Sequence, residues 1–112
     1  MTPQNSATAT VSQYFASMAG PDRQAGIDLF TADSRVTDDG RSYTGLHEIR
    51  AWLGAAASEF DYTTRIRSTE AAGDTVTVIT RLEGNFPGGV VDLRQVFTVN
   101  AAGKIADLLI AP

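Results

Sequence analysis

The sequence predicts an α+β fold in which helices pack on a curved, mostly antiparallel sheet. Three observations carry that reading. Apolar residues recur at helical spacing in two stretches, Val11, Tyr14, Phe15 and Met18, then Leu46, Ile49, Trp52, Leu53 and Ala56. From Phe60 to the end, apolar and polar residues alternate in four runs, the period of strands with one buried face. Between the two helical stretches sits Asp39-Gly40, a two-residue hairpin signal, because a type I′ turn needs positive φ at both central positions.

Taken in order, residues 1–7 are polar and read as a loose tail, and a single domain runs from 8 to 112. The first helix runs from about Thr8 to Ala19 and stops at Gly20-Pro21. Asp22 is placed to cap a second, short helix that reaches Phe30, with Ile27 and Phe30 turned inward. Val36 and Asp38 then share one face of a short strand, and Tyr43 returns on the second arm of the hairpin. Thr44 and Gly45 open a third helix that ends near Ser58.

The remainder reads as four strands. Phe60, Tyr62, Thr64 and Ile66 share a face, and Gly73-Asp74 turns the chain. Val76, Val78, Thr80 and Leu82 share the next. The loop from Gly84 to Gly89 interrupts pairing, and Val91, Leu93, Gln95, Phe97 and Val99 follow on one face. In the last strand Ala106, Leu108 and Ile110 form one face, with Ile105, Asp107 and Leu109 on the other. Apolar residues on the outer face of the last two strands (Val96, Ile105, Leu109) indicate cover by a second copy of the chain, a homodimer.

Composition narrows the function. In 112 residues there are no cysteines and one histidine, which excludes a disulfide framework or thiolate chemistry and leaves little for a metal site. A net charge of −4 without a basic stripe argues against nucleic acid or an anionic membrane as partner. The N-terminus lacks the basic and apolar regions of a signal peptide, and no apolar run is long enough to span a bilayer; the expectation is a cytoplasmic protein.

Three polar residues occupy positions where the pattern calls for apolar ones: Asp38 beside Val36, Tyr14 on the apolar stripe of the first helix, and Gln95 between Leu93 and Phe97. A buried polar group without a partner costs about 1–3 kcal/mol, so each needs a partner or a use. Asp38 fits either a general base or a carboxylate that caps the hairpin. Tyr14 fits a core aromatic or a site wall, and Gln95 a structural amide or a ligand contact.

The chain resembles the NTF2-like superfamily and, within it, the ketosteroid isomerase-like and SnoaL-like polyketide cyclase groups. The resemblance rests on Tyr14, the end of the second helix from Ile27 to Phe30, the strand ending in Asp38, Gly45 with Ile49-Arg50-Ala51-Trp52, and Phe97 followed by Asn100-Ala101-Ala102-Gly103-Lys104-Ile105. It implies a cone-shaped fold of three N-terminal helices on the sheet, a homodimer, and a pocket for a small hydrophobic molecule. It further implies that Asp38 matches the isomerases' base and Tyr14 the tyrosine that donates to the enolate oxygen. Gln95 stands where those enzymes carry a protonated aspartic acid as second donor, and Leu53 replaces a supporting tyrosine. The cyclases' aspartate on the last strand corresponds to Ile110 here, with Asp107 facing the other way. On this reading the catalytic group is Asp38, Tyr14 and Gln95. The pocket is lined by Phe15, Phe30, Val36, Tyr43, Trp52, Leu53, Phe60, Leu93, Phe97 and Leu108. The implied chemistry is enolisation or isomerisation of a carbonyl compound without cofactor or metal, the alternatives being a non-catalytic binding protein or a cyclase-like enzyme.

Overall fold

The computed structural model describes residues 3–55 and 62–112. Helix α1 spans Pro3–Ala19, starting ahead of Thr8, and sends Ala7, Val11 and Tyr14 into the core. It stops where expected: the Gly20 amide donates to the Ser17 carbonyl at 3.2 Å, and Pro21 cannot continue the ladder. The next segment, Arg23–Leu29, is a 3₁₀ helix rather than an α-helix, and the Asp22 side chain makes no capping hydrogen bond to it. Seven residues with Gly26 at their centre, buried against the Ser17 side chain, hold one tight turn after another but no α-helical run. Phe30, expected at the end of that helix, is instead the first residue of strand β1, Phe30–Asp38. Among the described residues the fold therefore has two α-helices and one 3₁₀ helix, with the second α-helix placed after the hairpin, in place of three N-terminal helices.

The hairpin forms as its sequence dictates. Asp39 (φ 54°) and Gly40 (φ 79°) are both left-handed, as a type I′ turn requires, and β2, Arg41–Thr44, returns with Tyr43 opposite Val36. Helix α2, Gly45–Ala55, follows at once; the Glu48 carboxylate accepts from the Thr44 amide at 2.9 Å and satisfies a donor at the helix start. Ile49, Trp52 and Leu53 are buried, whereas Leu46, assigned to the same stripe, is turned out to 40% exposure. Ala56, the expected helix end at Ser58, and Phe60 lie outside the described residues.

Strands β3 (Tyr62–Ala72), β4 (Thr75–Gly84), β5 (Val90–Val99) and β6 (Ile105–Ala111) complete a six-stranded sheet in the order β2-β1-β6-β5-β4-β3. Every pair is antiparallel except β1 with β6, which is parallel. The ladder is broken between Phe30 and Arg35, where the buried Ser34 hydroxyl donates to the Ile105 carbonyl at 2.6 Å. A second break falls between Thr98 and Val99, so that Val99 pairs with Ile105 but Thr98 with Asp107. This extra residue corrects the assignment of Ile105 to the outer face. It shifts the start of β6 by one pleat, and Ile105 is fully buried with Leu108.

Residues opposite one another on neighbouring strands share a face, and the register sorts the inner face into rows. Val36, Leu108, Phe97 and Val76 form one row across β1, β6, β5 and β4, all with 0% exposure. The adjacent row is Asp38, Ile110, Gln95 and Val78. Helix α1 lies over β3, β4 and β5, and α2 lies against β1, β2 and the 3₁₀ helix. Among the described residues no helix is long and apolar enough to cross a membrane.

Candidate functional site

The second row places two of the three out-of-pattern polar residues on one line. Asp38 on β1 and Gln95 on β5 are both paired with Ile110 of β6, which puts their backbones two strand spacings apart, roughly 10 Å. Tyr14 approaches the same region from α1 above the sheet. Asp38, Tyr14 and Gln95 all border a cavity of about 930 Å³, at the upper end of the range for small-molecule sites.

Asp38 is half-buried, and its Oδ2 accepts a hydrogen bond from the Trp52 indole Nε1 at 3.0 Å. Trp52 projects from α2, which the hairpin delivers directly over the end of β1. The bond fixes the carboxylate and leaves Oδ1 without a partner among the described residues. Hairpin capping, the other use open to Asp38, gives way to this contact. Tyr14 is buried in an aromatic cluster, edge-on to Phe15 and Phe97 with ring centroids 5.2 Å away in each case. Burial first, and then the neighbouring Tyr62 and Asp38, push its hydroxyl far above the ordinary tyrosine range. It therefore remains a protonated hydrogen-bond donor through the physiological range.

Gln95 behaves differently from the donor expected. Its Nε2 donates to the Thr80 Oγ1 at 3.2 Å, and its buried Oε1 has no partner among the described residues. The two residues sit one row apart on β5 and β4, so the amide reaches diagonally to a threonine that the strand pattern places on the inner face. The hydroxyl of Thr80 accepts or donates equally well, so the orientation of the amide follows from the network around it.

The cavity walls match the expected lining in part. Phe15, Trp52 and Leu93 border it, whereas Phe30, Val36, Tyr43, Leu53, Phe97 and Leu108 do not; they fill the core beneath α1 and α2. Phe60 lies outside the described residues. The additional walls come from Tyr62, Thr64 and Ile66 on β3, Leu82 on β4, Phe86 in the β4–β5 loop, and Val91 and Ile110. All but Phe86 belong to strand faces readable in the sequence. What the sequence does not mark is how far α1 and α2 reach along those strands, and hence where core ends and cavity begins. Asp107, the acidic residue nearest the cyclase position, forms an exposed ion pair with Arg35 at 3.4 Å, away from the cavity. Among the described residues, no group of His, Asp or Glu side chains is placed to hold a metal ion.

The chain matches the family model of the SnoaL-like domain over residues 11–108. It is similar in structure to a candidate polyketide cyclase from Sinorhizobium meliloti, with 31% identity, TM-score 0.85 and coverage of 92% of this chain and 94% of the other. A Catenulispora acidiphila protein of ketosteroid isomerase-like fold, solved with trimethylamine, gives TM-score 0.80 at 22% identity over 92% and 84% of the two chains. A Mycobacterium tuberculosis protein in complex with estradiol-17beta-hemisuccinate gives TM-score 0.79 at 19% identity over 96% and 93%. No curated protein matches the sequence.

Proposed function

The chain belongs to the SnoaL-like domain family, and on that footing we propose that it binds a small apolar carbonyl compound in its cavity and moves a proton on it. The observation that carries this reading is the convergence of Asp38, Tyr14 and Gln95 on one apolar-walled cavity. Asp38 Oδ1 takes the proton from a carbon next to the carbonyl. The electron pair of that C–H bond shifts to the carbonyl oxygen, giving an enolate. The Tyr14 hydroxyl donates to that oxygen as its charge grows, and Asp38 returns the proton to a second carbon of the conjugated system. Trp52 holds the carboxylate in place between the two transfers. The mycobacterial protein with its bound estradiol ester supports an apolar ligand for this architecture. The same proposal assigns the outer face, where Leu109 lies opposite Val96 and is 44% exposed, to a second copy of the chain.

A second reading, a binding protein without turnover, is favoured by one feature. Nε2 of Gln95 is engaged by Thr80, which weakens its role as a second donor beside Tyr14, and loss of an oxyanion donor costs about 10²–10³ in rate. The cyclase reading has less support, because Ile110 supplies no acid and Asp107 faces away.

Deuterium uptake from D₂O into β,γ-unsaturated ketones, followed by NMR, tests the proposal. Wild type should exchange the acidic position, and Asp38→Asn should slow it by roughly 10²–10⁴-fold, the usual contribution of a positioned base. Exchange that is equal in the two proteins overturns Asp38 as the base. Ketones that bind by calorimetry without exchanging overturn the proton-transfer reading in favour of the binding protein.

A further inference from the structure

Arg23 borders the cavity and is the one cation to do so among the described residues. It opens the 3₁₀ helix just past the Gly20-Pro21 break, and its Nε donates to the Met18 carbonyl at the end of α1, at 3.1 Å. A cation at a helix C-terminus is favourable in itself, and that bond accounts for the position of the side chain. It does not account for the rest of the guanidinium. Among the described residues only Nε has a partner, and Arg23 forms no ion pair with any of them. The two terminal nitrogens form a planar fork suited to a carboxylate or phosphate.

The fork is set apart from the proton-transfer groups. Met18 lies four residues beyond Tyr14 on α1, about 6 Å along the axis. Asp38 and Asp39 border the cavity as well, so an anionic ligand group placed near them would be repelled. One placed at Arg23 would be attracted.

We infer that the ligand is an apolar molecule with an anionic group, a carboxylate or phosphate, seated on Arg23, and with its carbonyl directed inward to Tyr14 and Asp38. The inference rests on the cavity being the ligand site, as proposed above, and adds the charge and the length of what it takes. Rigid keto acids with a carbonyl and an anion separated by about two helical turns or less of α1 fit the arrangement.

Calorimetric titration with acetylnaphthoate, bearing acetyl and carboxylate at opposite ends of the ring system, against uncharged acetylnaphthalene tests it. At low salt wild type should prefer the keto acid by about tenfold, a charge-assisted contact discounted for partial exposure. The preference should shrink on raising salt from about 20 mM to about 0.5 M. It should vanish in Arg23→Gln, survive in reduced form in Arg23→Lys, and persist in Asp38→Asn. Equal affinity for the two compounds in wild type, or a preference retained in Arg23→Gln, overturns the inference. If neither compound binds, both this inference and the assignment of the cavity fail. A charge preference in a protein that exchanges no deuterium leaves this inference standing and removes only the proton transfer.

Discussion

The inner face of the sheet has two ends that differ in what covers them. At one end Val36, Leu108, Phe97 and Val76 form a row of 0% exposure covered by the helices, with Ile49 and Leu53 of α2 buried beside them. At the other end Leu82 pairs with Val91, Ile66 stands 50% exposed on β3, and the space above them is cavity. Both ends carry the same kind of residue in the same alternation. The difference teaches that apolar strand residues serve as core or as cavity wall according to helix coverage, and the candidate site lies at the boundary row that holds Asp38 and Gln95.

Substitutions at the two ends should separate most widely in stability. Phe97→Ala removes a side chain packed edge-on against Tyr14 and Phe15 and should cost about 3–5 kcal/mol. Ile66→Ala, on an exposed edge strand, should stay within about 0.5 kcal/mol. Urea denaturation of both variants measures the contrast. Similar costs would mean that the cavity end is packed in solution and would break the comparison.

That boundary is also where sequence reasoning stops. The hairpin was legible because Asp39-Gly40 has few backbone conformations to choose from, and β4 and β5 were legible because Val76, Val78, Phe97 and Val99 alternate without interruption. Ile105 was misread because a register break, invisible in the alternation, moves it across the sheet. Phe30, Val36, Phe97 and Leu108 were read as pocket walls because alternation gives the face of a residue but not its position under a helix. The Trp52–Asp38 bond was beyond reach for a related reason: it depends on the angle at which the hairpin hands the chain to α2. The polar positions themselves stood out, since Asp38, Tyr14 and Gln95 each interrupt an apolar pattern.

Tyr14 sits at the boundary, in contact with the packed cluster and with the cavity, and its titration reports which end dominates. Burial is the main cause of its raised pKa. Above about pH 10 the tyrosine of the unfolded chain ionises while the folded one stays protonated, so the folded state binds more protons. Stability contributed by this group is full below that pH and falls as pH rises, by up to about 1.4 kcal/mol per unit. Tyr14→Phe should abolish that part of the slope between about pH 9 and about pH 11. Denaturation curves with the same alkaline slope in both proteins would place the hydroxyl in water-like surroundings and on the open side.

The smallest expected effect bears most directly on the site. Asp38 is anchored from the packed end by Trp52, whereas Gln95 is anchored within the strands by Thr80. Trp52→Phe keeps a ring in the core but removes the indole donor together with part of the ring system. Because the carboxylate is half-buried and water can replace the lost partner, the hydrogen bond accounts for about 1 kcal/mol or less of the lost stability, the remainder coming from the smaller ring. The carboxylate then turns freely, and deuterium uptake should fall by about tenfold while ketone affinity stays the same, the split expected of a positioning residue. Thr80→Val frees the Gln95 amide instead and should change affinity more than exchange rate. If Trp52→Phe weakened binding and left exchange untouched, the indole would serve the cavity as a wall alone, and the packed end would not be what holds the Asp38 carboxylate in place.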